Sequence, residues 1–337
     1  MTRNHLAGAL ALVLALSAYS TAAAQTRRGN PAAPRPQQPR AVPLPASDAV
    51  LAADLRRLFN EAIPRALGDD KARIAEVNAD VEQFKARTGI DARAFDTLAV
   101  GARVVRLESG ATKFDHLVAI ARGTFRPDAI VAAGRLAAKG AHREEKYGGK
   151  TVHVFGVNDQ LKLFGLLKMK VGVLAMAVLE PDTLAVGEPE AVRAAVDAQA
   201  GRGRVDASLM SSLKGGEVIA FAANVPASAF AGVDVGLPEV NKSIAAVRGL
   251  YGSLGTTPAG FHMTTVLRTT SAADARQLGN TIDAVRQIAP GLISMAGERA
   301  RFAKAAVDSL KITPQGNEVQ LRMELAQGDV ATLLRSL

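Results

Sequence analysis

"HREEKYGGKTVHVF", His142 to Phe155, admits two readings that lead to different folds. Gly149-Lys150-Thr151 matches the end of a phosphate-binding loop, G-x-x-x-x-G-K-[ST], which needs a helix directly after it to offer backbone amides to phosphate. That motif would put its first glycine at position 144, which is Glu144, and the residues after Thr151 are Val-His-Val-Phe, an alternating β-branched and aromatic run. The stretch is therefore predicted to be a β-hairpin turning at Gly148-Gly149, which brings antiparallel pairing into the fold. A two-residue turn sets Tyr147 opposite Lys150, Glu144 opposite His153 and His142 opposite Phe155.

Outward from the hairpin, strands and helices alternate. On its N-terminal side, "RPDAIVAAGRLAAKG" opens with Pro127 in a first turn and closes near Gly140, as a helix does. It is preceded by two strand runs, "DTLAVGARVV" and "KFDHLVAIARGTF". Before those come a strand "DAVLAADL", a helix "RRLFNEAIPRAL", and a second helix with Ile74, Val77, Val81 and Phe84 at helical spacing. On the C-terminal side, "VGVLAMAVLEPDTLAVG" reads as two strands about a turn at Glu180–Asp182, followed by the short helix "EPEAVRAAVDA".

The second half repeats this order. "GEVIAFAANVP", "SIAAVRGLYGSL" and "GFHMTTVLRTT" are strand candidates. A helix follows with Ser271 as N-cap and Asp274 three residues on, then a hairpin at Pro314–Asn317 and the helix "DVATLLRSL". An offset of 146 sets Arg122 on Arg268, Thr124 on Thr270, Asp128 on Asp274 and Leu136 on Ile282. The expectation is an α+β protein of two related modules, residues 47–204 and 205–337, each an antiparallel or mixed sheet with helices packed on one face.

The N-terminus predicts export. Arg3 precedes an uncharged apolar run, Leu6 to Ala18, and Ala22 and Ala24 satisfy the small-x-small cleavage rule, so residues 1–24 read as a signal peptide cut after Ala24. A run of that length falls short of the ~20 residues of a spanning helix, and no transmembrane span is expected in the mature chain. Residues 25–46 hold six prolines, four arginines and three glutamines and read as a disordered tether. The expected location is periplasmic or secreted.

Composition narrows the chemistry. The chain has no cysteine, which removes disulfides, thiol nucleophiles and thiolate metal sites. Of the formal charge of +9, five arginines lie in residues 1–46, leaving 36 basic against 32 acidic residues in the body. With no Trp and no basic run interleaved with aromatics, nucleic acid is not an expected partner. "LYGSLG" and "GLISMAG" lack the first glycine of a nucleophile elbow, and H-E-x-x-H is absent. His116 and His262 read as strand residues outside any cluster, with Asp115 and His116 pointing to opposite faces. No cofactor is expected.

Two candidate sites remain. Strand alternation puts His142, Glu144 and His153 on one face, a two-histidine, one-carboxylate set suited to zinc or iron. The competing reading is a solvent-facing hairpin, stabilised by opposite-charge cross-strand pairs worth ~0.2–1 kcal/mol each. "LKLFGLLKMKVGVLAMAVLE" (Leu161–Glu180) is apolar but interrupted by Lys162, Lys168 and Lys170. It reads either as a loop or short helix feeding a buried strand, or as an exposed apolar contact patch of Leu161, Phe164, Leu166, Leu167 and Met169 for lipid, an apolar ligand or a partner.

Tyr147, Gly149 and Val152, followed by Val186, Gly187 and Val192, resemble a pattern in exported bacterial proteins of unknown function. Their duplicated α+β modules carry a Tyr-x-Gly-x-x-Val hairpin and then Val-Gly-x-x-x-x-Val. The resemblance implies no catalytic residues. Together these readings predict an exported, non-catalytic binding or structural protein of the cell envelope, contacting an envelope protein or an apolar ligand. The alternatives are a metal-dependent hydrolase centred on His142, Glu144 and His153, or a carrier or sensor of an apolar envelope ligand.

Overall fold

The computed structural model describes residues 42–336 apart from 69, 89–90, 107–111, 139–140, 164–166, 214, 228, 230–237 and 295–299. The strands among them are β1 (Ala49–Asp54), β2 (Phe95–Arg106), β3 (Thr112–Gly123), β4 (His142–Tyr147), β5 (Lys150–Leu163), β6 (Leu167–Glu180) and β7 (Thr183–Gly187) in the first half. The second half holds β8 (Ile219–Asn224), β9 (Val247–Thr257), β10 (Gly260–Thr269), β11 (Lys311–Gln315) and β12 (Glu318–Ala326). All join one antiparallel sheet in the order β11-β12-β10-β9-β8-β1-β2-β3-β7-β6-β5-β4. The protein is thus α+β, but with one continuous sheet where two were expected. The join is the pairing of β1 with β8, since the first strand of each half offers its free edge to the other.

From that seam the order is mirrored outward: β1-β2-β3-β7-β6 on one side and β8-β9-β10-β12-β11 on the other, with β4 and β5 added to the first. Backbone bonds are mirrored too. Asp54 N–H donates to Val218 C=O (2.9 Å) and Asn224 N–H to Asp48 C=O (2.8 Å). Thr124 N–H meets Ala94 C=O at 2.8 Å, as Thr270 N–H meets Ala246 C=O at 3.2 Å. Gly123 N–H meets Asp182 C=O at 3.0 Å, as Thr269 N–H meets Asn317 C=O at 2.8 Å.

Helices, among them α1 (Leu55–Arg57), α2 (Ile63–Leu67), α3 (Lys71–Thr88), α4 (Pro127–Ala137) and α5 (Pro189–Gln199), cover both faces, which corrects the one-face expectation. On β5 to β7, Val152, Val154, Ala175, Ala177 and Ala185 pack with Val192, Ala195 and Val196 of α5 (Pro189–Gln199). The intervening residues, Phe155, Met176 and Leu184, pack with Ile130 of α4 (Pro127–Ala137) on the opposite side. These strands are apolar at odd and even positions alike, and such a strand must be buried on both faces. In the second half Ala275 and Leu278 of the helix Ala272–Ser294 pack with Val247 and Val319. Ser271 caps that helix, accepting the Asp274 N–H at 3.1 Å. The strand expected from Ser243 starts at Val247 instead, because Pro238–Ala245 is a helix opening on a proline.

Residues 42–46, expected to belong to a disordered tether, are packed into the fold, and residues 25–41 lie outside the described residues. Leu44 is fully buried among Val50, Val118 and Val205, and its C=O accepts the Val205 N–H at 3.0 Å. Ala46 N–H donates to Gly203 C=O at 2.8 Å. The prolines around Leu44 cannot donate to a ladder, yet its apolar side chain still fills the core beside the joint between the halves.

Candidate functional site on the β4–β5 hairpin

Gly148 (φ +54°) and Gly149 (φ +76°) both lie in the left-handed region, as a two-residue hairpin turn whose twist matches its strands requires. The register follows: Tyr147 opposite Lys150, Glu144 opposite His153, His142 opposite Phe155. Odd-numbered residues of β4 face α5. There Arg193 grips Glu145 through two bonds, Nε to Oε1 at 2.6 Å and an Nη to Oε2 at 3.1 Å, and the Tyr147 hydroxyl donates to Asp197 at 2.7 Å. These contacts fix the hairpin from behind.

Its front carries His142, Glu144 and His153. His142 Nε2 lies 3.4 Å from His153 Nδ1, and His153 Nδ1 lies 3.4 Å from Glu144 Oε1. One ligand atom from each residue falls within 4.8 Å of the others. The His142 ring stacks on Phe155 (centroids 5.0 Å apart) and on His153 (5.6 Å). Helix α4 lies over this layer at Gly134, where a Cβ would come within 2.6 Å of the Phe155 ring. One residue on, the Arg135 guanidinium bonds Glu144 Oε1 and holds that carboxyl below its ordinary pKa. Burial pushes His153 below the usual imidazole value, against the attraction of Glu144.

The second candidate falls differently. Leu161 pairs with Met169 and Leu163 with Leu167 on β5 and β6, so the segment is a hairpin and not the expected loop or helix. Phe164 and Leu166 lie outside the described residues. The signal for strands was present in the strict alternation Leu161-Lys162-Leu163 and Leu167-Lys168-Met169-Lys170-Val171.

Two other histidines gain carboxylate partners distant in sequence, Glu190 for His116 and Glu217 for His262. His116 has φ +53° at an irregularity of the β2–β3 register, which breaks the alternation and leaves its Nδ1 3.7 Å from the Asp115 carboxylate and its Nε2 3.5 Å from Glu190. His262 Nε2 lies 3.1 Å from Glu217, 45 positions away in sequence. Among the described residues no helix is long and apolar enough to cross a membrane.

No protein-family model matches the chain, and no curated protein does. Among solved structures it is similar to three crystal forms of TP0453. Form I is 8% identical with a TM-score of 0.41, over 88% of this chain and 96% of that one. Form III is 9% identical with a TM-score of 0.43, over 88% and 97%. Form IV is 11% identical with a TM-score of 0.41, over 87% and 94%.

Proposed function

We propose that the protein is an exported, non-catalytic binding or structural protein of the bacterial cell envelope, made of two duplicated modules fused edge to edge. The mirrored strand order and the repeated backbone bonds at Thr124 and Thr270 support the duplication. The signal-like N-terminus supports export. Osmotic-shock fractionation followed by N-terminal sequencing is expected to find the mature chain in the periplasm or medium beginning at Gln25. An uncut cytoplasmic chain would refute it.

The observation that carries a binding role is the far end of the β5–β6 hairpin. β4 pairs with β5 only as far as Phe155, and β7 pairs with β6 only from Ala175. From Asp159 to Leu163 and from Leu167 to Val171 the two strands pair only with each other. A two-stranded arm is marginal by itself in water. Period-two alternation sets Leu161, Leu163, Leu167, Met169 and Val171, with Asp159 at the base of the arm, at positions of one face, and Lys162, Lys168 and Lys170 at positions of the other. The register sets Lys162 opposite Lys168, which gathers basic positions on one face, a composition that an anionic surface attracts.

The ligand proposed for the arm is therefore an anionic lipid surface of the envelope. In liposome flotation the protein lacking residues 1–24 should rise with vesicles containing anionic phospholipid, and Leu167→Asp should abolish most of that recovery. Parent protein remaining at the bottom of the gradient would remove the lipid reading.

A further inference from the structure

We propose that His142, Glu144 and His153 bind one divalent transition-metal ion of the zinc class at the front of the β4–β5 hairpin. This rests on the hairpin alone and stands or falls independently of the arm. The distances carry it. An N–H donor meets its acceptor at about 2.7–3.2 Å, so neither the His142–His153 nor the His153–Glu144 contact, each 3.4 Å, is a well-made hydrogen bond. A tetrahedral ion with bonds of about 2.0–2.1 Å to nitrogen and about 2.0–2.2 Å to oxygen keeps its ligand atoms about 3.3–3.5 Å apart. Two of the three edges of the cluster already have that length, and the third is within 4.8 Å.

Two imidazoles with one carboxylate favour zinc, nickel or cobalt over magnesium or calcium, which prefer oxygen throughout. The frame is rigid: the register sets Glu144 opposite His153, Phe155 backs the His142 ring, and the Arg193–Glu145 pair holds the strand from the other face. The bond from Arg135 uses one lone pair of Glu144 Oε1 and orients the carboxylate. A metal needs its imidazoles unprotonated, so binding at this cluster should weaken as pH falls. Glu144 is 43% exposed, which leaves a fourth coordination position to water.

The test uses tag-free protein stripped with chelator and titrated with Co²⁺ alone, followed by its visible d–d absorption and by displacement with Zn²⁺. Saturation at one equivalent with tetrahedral-type bands is expected. Removing an outer-shell partner typically costs about 10–100-fold in affinity, so His153→Ala and Glu144→Gln should each weaken binding by at least that much. Glu144→Gln changes a half-exposed side chain, and circular dichroism of both variants confirms that they fold. The proposal is overturned by the lack of a saturable cobalt band in the parent, or by binding that both folded variants retain, which would place the ion elsewhere.

Discussion

Tyr251 donates its hydroxyl to Glu318 Oε2 at 2.8 Å, while Arg268 Nε holds Oε1 at 2.9 Å and its guanidinium lies 5.5 Å from the Tyr251 ring centre. Burial, and then the bond to Glu318, raise the phenol above its ordinary pKa. The folded phenol thus keeps its proton where the unfolded one, near pH 10, releases it. Its contribution to stability is complete below about pH 10 and is lost as pH climbs through the folded value. Tyr251→Phe should cost about 1 kcal/mol at pH 7, because Arg268 still satisfies Glu318, and should flatten the alkaline fall in urea-measured stability. A slope as steep as the parent's would refute the linkage. At Leu44 the expectation is larger. Truncating a fully buried leucine to alanine should cost about 2–5 kcal/mol, measured by urea unfolding. Contacts of this kind were not legible in sequence: Tyr251 and Glu318 are 67 positions apart, and Leu44 lies within a proline-rich run whose composition argued against any core.

Among the elements, the β4–β5 hairpin was legible to the individual pair, because a Gly-Gly turn fixes register without help from the rest of the chain. The candidate metal triad was legible for the same reason. Arg135, which touches it, was not, since only the packing of α4 at Gly134 brings it over the strand. The turn itself separates two effects. Gly149 has open space where a Cβ would stand, whereas at Gly148 a Cβ would lie 2.7 Å from Val196 Cγ1 of α5. Both φ values are left-handed, so alanine at either should cost about 1–2 kcal/mol in backbone strain. Gly148→Ala should cost more, because it also pushes α5 away, and Gly149→Asn should be nearly neutral, since asparagine tolerates that conformation. Thermal melts of the three variants check the order. Equal losses for Gly148→Ala and Gly149→Ala would show that the Val196 contact yields freely.

At the scale of the molecule, one sheet passes through both halves, and its outer strands are guarded. β11 carries Pro314 and Lys311, and β4 carries His142, Arg143, Glu144, Glu145 and Lys146, the charges and prolines that keep sheet edges from pairing further. The inner edges of β1 and β8 have no such protection, since each is covered by the other. Element order suggested two modules. That they share a sheet was hidden because β1 and β8 are short apolar runs that read alike whether paired within a module or across the seam. With the Leu44 segment also bonded across the joint at Val205, neither half should unfold alone. The sequence supplies a direct probe: it has no Trp, and beyond residue 24 its tyrosines are Tyr147 in the first half and Tyr251 in the second. In protein lacking residues 1–24, Tyr251→Phe leaves tyrosine fluorescence reporting the first half, and Tyr147→Phe leaves it reporting the second. In each variant the fluorescence midpoint in urea should coincide with the far-ultraviolet circular dichroism midpoint, as a single cooperative transition requires. If fluorescence precedes or trails the loss of secondary structure in either variant, the halves unfold separately and the β1–β8 seam is only a contact between independent domains.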